Sequence, residues 1–189
     1  MLSTAFLLAA SMVVGQGENS PSHQEHVKEL AWLIGRWEGT YVQPEGIFDL
    51  GKSGSTVIDE QSFRWVLNKS FIQYNSTSRI DGRIASEGLE LIGWDVTSGK
   101  LVHWIFDSTG VHGSGVWRRD GDAWILDWSG TATDNTSISG SSVHRRVDRD
   151  TYTWQMVNLK KNGQSILDWR VVEFKRKTDA KPNKGNDKK

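Results

Sequence analysis

The sequence predicts an all-β chain, an antiparallel up-and-down barrel of about ten strands with one short N-terminal helix. Three observations carry that expectation. Gly is generous at 19 residues and Pro scarce at 3, a composition suited to many strands joined by tight turns. Of the 10 Trp residues, eight (all but Trp32 and Trp94) recur in extended segments at positions that need a shared enclosed face. Turn-forming pairs recur at hairpin spacing: Asn68-Lys69, Asp81-Gly82, Thr97-Ser98, Asp120-Gly121, Asp134-Asn135, Arg149-Asp150 and Asn162-Gly163.

A length of 189 residues suits one domain with ends. Formal net charge is zero, so no global field recruits nucleic acid or anionic membrane. Cys is absent, which removes disulfides, thiolate metal sites and Cys nucleophiles. Residues 1–17 read as a signal peptide: Ala5 to Val14 is an apolar run too short to span a bilayer, and Val13-Val14-Gly15 offers small residues for cleavage, although no Lys or Arg precedes the run. Export to the periplasm or beyond is therefore expected, with no membrane span elsewhere. Residues 18–24 form a linker and 25–177 the barrel domain with its helix. The polar tail 178–189, rich in Lys, Asp, Asn and Gly, has no apolar anchor and is expected to be disordered.

Taking the elements in order, Ser22-His23-Gln24-Glu25 matches a capping box. Val27, Leu30, Ala31 and Ile34 follow at helical spacing, and Gly35 supplies the stop. This short amphipathic helix is expected against one end of the main body. From Arg36 to Lys177 strand follows strand. Propagating pairs from each turn sets Phe63 opposite Tyr74, Tyr74 opposite Leu89, and Leu89 opposite Phe106. Likewise Trp65 faces Ile72, Ile72 faces Leu91, and Leu91 faces Trp104. Trp117 faces Trp124 across Asp120-Gly121, Trp124 faces Arg145, Arg145 faces Trp154, and Trp154 faces Val171. In this register the steps share one side, because a one-residue slip would flip the next strand. The common face carries Trp37, Tyr41, Phe63, Trp65, Trp117, Trp124, Trp128, Tyr152, Met156 and Trp169, together with the residues just paired. His103, His144, Asp168 and Arg170 fall on the opposite face. A sheet so long and twisted curls shut, and a barrel of this strand count has room for a cavity.

Gly35-Arg36-Trp37, directly after a short helix and opening the first strand, resembles the Gly-x-Trp signature of the lipocalin and calycin superfamily. That resemblance implies a Trp at the closed end of the barrel beneath an Arg from the last strand. Arg170 and Arg176 are the candidates, and the outward register of Arg170 favours Arg176. The run from Leu30 to Gly39 is also similar to the opening of bacterial lipocalin-like domains of unknown function and of nitrobindin. The segment Leu91-Ile92-Gly93-Trp94-Asp95 through Trp104 to Trp117 and Trp124 resembles a bacterial barrel domain that sometimes accompanies an NTF2-like (SnoaL-type) domain. The nitrobindin resemblance implies haem held by an interior His. In the register above none of the five His is interior: His23 and His26 lie near the helix start, His112 in a loop, and His103 and His144 outward. No cofactor and no metal are therefore expected.

Catalytic motifs are weak. Gly93 to Lys100 has the wrong spacing for a phosphate loop, and His112-Gly113-Ser114-Gly115 lacks the strand–elbow–helix context of a Ser nucleophile. Polar residues on the aromatic face are more informative, since charges there must be paired or solvated. These are Asp59, Gln61, Arg145, Asn158 and Glu173, with the hydroxyls of Tyr74 and Tyr152. A register-fixing network and a polar anchor for ligand are equally open readings of that set. The candidate ligand-binding residues are Arg145, Tyr152, Glu173, Gln61, Tyr74, Trp104 and Trp154. The favoured function is non-enzymatic binding of a small apolar or amphiphilic ligand, with no nucleic acid as partner. A structural or protein-interaction module using exposed Trp94, Ile105 and Ile125 is the alternative. An enzyme working from the rim around Asp107 and His112 is the least favoured.

Overall fold

A computed structural model describes residues 22–44 and 53–178. The expected signal peptide, and all of the polar tail beyond its first residue, lie outside the described residues. Helix α1 (His23–Val27) runs into a 3₁₀ turn (Lys28–Leu33). The strands are β1 (Gly35–Val42), β2 (Thr56–Val66), β3 (Phe71–Ile80), β4 (Arg83–Asp95), β5 (Lys100–Asp107), β6 (His112–Asp120), β7 (Ala123–Thr131), β8 (Ser137–Arg146), β9 (Thr151–Lys161), β10 (Gln164–Ser165) and β11 (Val172–Arg176). Consecutive strands pair antiparallel from β1 to β9, and β9 returns through β11 to β1. Ten strands thus close a barrel without free edges, and two-residue β10 adds a short flap beside β9.

Ser22 caps α1, its hydroxyl accepting from the Glu25 amide at 3.4 Å. The 3₁₀ turn explains the burial that follows. At three residues per turn, Val27, Leu30 and Leu33 line up and are all fully buried. They join Trp37 in the main core. The Trp37 indole donates to the Leu33 carbonyl at 2.7 Å. Arg176 from β11 lies 4.0 Å over the same ring and donates to the carbonyls of Ile34 (2.7 Å) and Trp32 (3.1 Å). It also meets Arg149 O at 3.2 Å and Asp150 at 3.1 Å, so one guanidinium ties helix, first strand, last strand and a hairpin loop together. Replacing Arg176 by Met keeps the stem and strands four carbonyl contacts at this end. It is expected to cost roughly 1–3 kcal/mol in urea unfolding.

Gly39, in β1, matters for a different reason. A Cβ there would sit 2.8 Å from the fully buried Phe174 ring. Gly39→Ala is expected to cost roughly 1–3 kcal/mol by overpacking, read as a lower urea midpoint with an unchanged slope.

The strand register departs from expectation in instructive places. Asp81-Gly82 and Asn162-Gly163 form the expected two-residue turns, both residues of each at positive φ. The central hairpin turns two residues later in pair sum, at Gly121-Asp122. Trp117 therefore faces Leu126 rather than Trp124, without change of face. Between β3 and β4 a bulge beside Ser78/Arg79 adds one residue, so Tyr74 faces Glu90 and not Leu89. That flips the faces of β4 and β5. Leu89, Trp104 and Phe106 stand outside at 45%, 37% and 51% exposure, while Glu90 and His103 turn inward. A five-residue loop, Ala132–Thr136, shifts β7 against β8 by one, so Trp124 faces His144 and Arg145 points out. A further one-residue shift into β9 returns Tyr152, Trp154 and Met156 to the interior. The last pairing slips as well: Tyr152 faces Phe174, Trp154 faces Val172, and Glu173 turns outward. Trp65, Trp124 and Trp154 nonetheless all pack against the one core.

Candidate ligand cavity

The helix and Trp37 fill one end of the barrel. Beyond them lies an interior cavity of about 180 Å³. Its mouth is formed by the β5–β6 loop and adjoining strand ends, including Phe106, Asp107, Val111, His112 and Gly113. Tyr41, Phe63, Trp117, Trp128, Trp154 and Trp169 supply an aromatic wall.

Set into that wall are ionisable groups. Asp59 on β2 is 6% exposed and accepts from Gln61 Nε2 at 2.8 Å and from the Ser78 hydroxyl at 3.2 Å. Gln61 in turn accepts a hydrogen bond from the Tyr152 hydroxyl, which joins β2 to β9 across the barrel. Burial raises the Asp59 carboxyl from its usual range to about 6; Glu90 and Glu60 push the same way, and the hydrogen bonds from Gln61 and Ser78 oppose them. Burial first, and then the Asp59 charge, raise the phenols of Tyr41, Tyr74 and Tyr152.

On the facing arc, His103 Nε2 meets the Glu90 carboxylate. The His103 ring stacks near Trp117, with centroids 5.7 Å apart and planes 11° apart. Trp117 also packs on His144 at 4.9 Å, and His144 stacks on Tyr152 at 6.1 Å. Burial, reinforced by His103, depresses His144 to about 3, so its imidazole is neutral at physiological pH. His103 Nδ1, His144 Nδ1 and Trp117 Nε1 are shut off from solvent and lack a hydrogen-bond partner among the described residues. Such groups are costly to leave unmade, and all three belong to side chains that line the cavity.

The expected ligand-binding residues divide sharply. Gln61, Tyr74 and Trp154 line the cavity, and Tyr152 is fully buried behind Gln61. Arg145 is instead exposed, its Nε 3.7 Å from Asp122, because β8 is shifted by one residue. Glu173 lies outside with Lys175 at 3.0 Å, since its strand pairs Phe174 with Tyr152. Trp104 is outside through the β3–β4 bulge. Asn158 is exposed, at φ 56° beside the β8–β9 irregularity. The same shifts overturn the outward placement of His103 and His144, so the reasoning that kept His out of the interior does not hold. Leu and Trp neighbours on β4 and β5 mask the parity that turns Glu90 and His103 inward, and the one-residue shift of β8 against β7 hides that of His144. Asp107 and His112 do sit together at the mouth.

Trp94, Ile105 and Ile125 do not form the exposed patch expected of an interaction module. Trp94 stacks on His26 at 3.7 Å, Ile105 lines the cavity, and Ile125 packs with Ala123 and Val143 in a small cluster of its own. Among the described residues no three His, Asp or Glu side chains converge as metal ligands, and no helix is long and apolar enough to cross a membrane.

A profile for a family described as "Protein of unknown function (DUF1579)" matches residues 21–172. Among solved structures, the chain is similar to the crystal structure of Rv2717c from M. tuberculosis. Identity is 18%, with 81% of this chain and 98% of that chain covered, at a TM-score of 0.58. Likeness at that identity speaks to the fold alone. No curated protein matches the chain.

Proposed function

The chain belongs to the DUF1579 family of proteins of unknown function, and from that premise we propose that it binds a small, partly apolar molecule inside the barrel without transforming it. One observation carries the reading: ionisable side chains are buried around an internal space in an otherwise aromatic wall. An interior built for stability alone is better filled with apolar groups, because each buried ionisable group imposes a desolvation cost. Binding cavities have this mixture of apolar lining and few polar groups. The volume limits the guest. About 180 Å³ is below the roughly 300–1,000 Å³ of pockets for drug-sized ligands, yet about 150 Å³ suffices for benzene. The guest is thus a single small ring, a short chain, or one end of a longer molecule. The reading includes export, on the leader at residues 1–17, and a lipocalin-like lineage, on Gly35-Arg36-Trp37 closed by Arg176.

Intrinsic Trp fluorescence titrated with small amphiphiles tests the proposal. Binding is expected to change the emission of the protein, and Trp154→Phe is expected to diminish that change. Trp104→Phe, on the outer face, is expected to preserve it. Loss of the response with Trp104→Phe alone would move binding to the outside of the barrel.

A further inference from the structure

Resting on the interior-binding reading, we propose that the guest carries a cationic nitrogen, a protonated primary amine or a quaternary ammonium, that pairs with the Asp59 carboxylate inside the aromatic wall. Asp59 lines the cavity, is 6% exposed, and among the described residues is held by neutral donors alone, Gln61 Nε2 and the Ser78 hydroxyl. Glu90 differs, because His103 Nε2 stands against it. No Lys, Arg or His among the described residues pairs with Asp59, and the charges that bear on it, Glu90 and Glu60, are both acidic. Among the described residues, the cavity therefore holds a carboxylate short of a countercharge. A buried carboxylate without a cation is a standing cost, which a cationic guest offsets.

The surroundings suit a cation in a second, independent way. Tyr41, Phe63, Tyr74, Trp154 and Trp169 line the same space. Their ring faces attract ammonium groups, most strongly where water is excluded, and aromatic cages are a common means of recognising quaternary ammonium. A guest carboxylate would meet the opposite situation, with Asp59 and Glu90 both repelling it.

The test uses four probes with one ring and different heads: benzylamine, benzyl alcohol, benzoate and toluene. Each is titrated into the whole protein at pH 7.5 by calorimetry and Trp fluorescence. Benzylamine is expected to bind roughly 10- to 100-fold more tightly than benzyl alcohol, the range of a hydrogen bond to a charged group. Asp59→Asn is expected to erase that preference. As a check that needs no variant, benzylamine affinity is expected to weaken below about pH 6 as Asp59 takes up its proton, while benzyl alcohol affinity holds more nearly constant. The groups facing Asp59 in that titration are Glu60 on its own strand, Tyr41 on β1, Tyr74 on β3, Glu90 on β4 and Tyr152 on β9. Benzyl alcohol, toluene or benzoate binding as tightly as benzylamine would overturn the amine and leave interior binding standing. Absence of binding by all four would overturn both.

Discussion

His144→Phe is expected to stabilise the protein by about 3 kcal/mol at pH 4 and by far less at pH 7. His144 is 8% exposed, packed between Trp117 and Tyr152, and its pKa falls from 6.5 to about 3 because burial penalises the cation. Between those values the unfolded chain binds a proton that the native chain refuses, so stability falls as pH falls from 6.5 toward 3. The full window is worth on the order of 5 kcal/mol, and the part down to pH 4 about 3 kcal/mol. Phe keeps an aromatic ring in the stack and removes the buried Nδ1 that has no partner among the described residues. Urea midpoints of both proteins at pH 7 and pH 4 check this. Parallel acid sensitivity in the two would place His144 in water rather than in the core.

Asp59 works in the opposite direction. Its pKa is raised from 3.8 to about 6, so the native state holds a proton that the unfolded state has lost between those values. Its contribution is most favourable below about pH 4 and is lost as pH rises through 6, a cost of about 3 kcal/mol at neutral pH. Asp59→Asn is therefore expected to be more stable than the parent by up to about that amount at pH 7.5 and nearly equal to it at pH 4. From pH 6 to 4 the opposing slopes of Asp59 and His144 roughly cancel in the parent. Asp95, Asp127, Asp134 and Asp148, whose pKa values are lowered, titrate below that range. In Asp59→Asn the His144 slope stands alone, and stability falls steadily from pH 6.5 downward. A variant that gains stability while losing benzylamine marks a residue kept for function. Loss of stability at both pH values would instead make Asp59 a structural member of the Gln61–Tyr152 network.

The two turns and the closing Arg show what the sequence made legible. Asp81-Gly82 and Asn162-Gly163 need positive φ at both positions, and their composition says so. Trp37 and Arg176 meet as the Gly-x-Trp resemblance implies. The tryptophans of β6, β7 and β9 keep one face, because two slips, into and out of β8, cancel. Parity failed where one inserted residue leaves no compositional mark. Ile84 and Ala85, beside the β3–β4 bulge, would suit a regular strand equally well. After that bulge the alternation itself misleads, since Leu89, Trp104 and Phe106 face out while Glu90 and His103 face in. A polar residue turned inward against the pattern is where local rules yield to a site. Gly140 sits where the β8–β9 pairing shifts, near the positive-φ Asn158, and is a readable hint of irregularity there.

A crystal structure of the protein soaked with benzylamine tests interior binding most directly. The ring is expected within the cavity bounded by Tyr41, Tyr74 and Trp154, with its nitrogen in hydrogen-bond reach of an Asp59 carboxylate oxygen. A cavity holding only water, with the ring lodged on the outer face beside Leu89 and Trp104, would contradict the account.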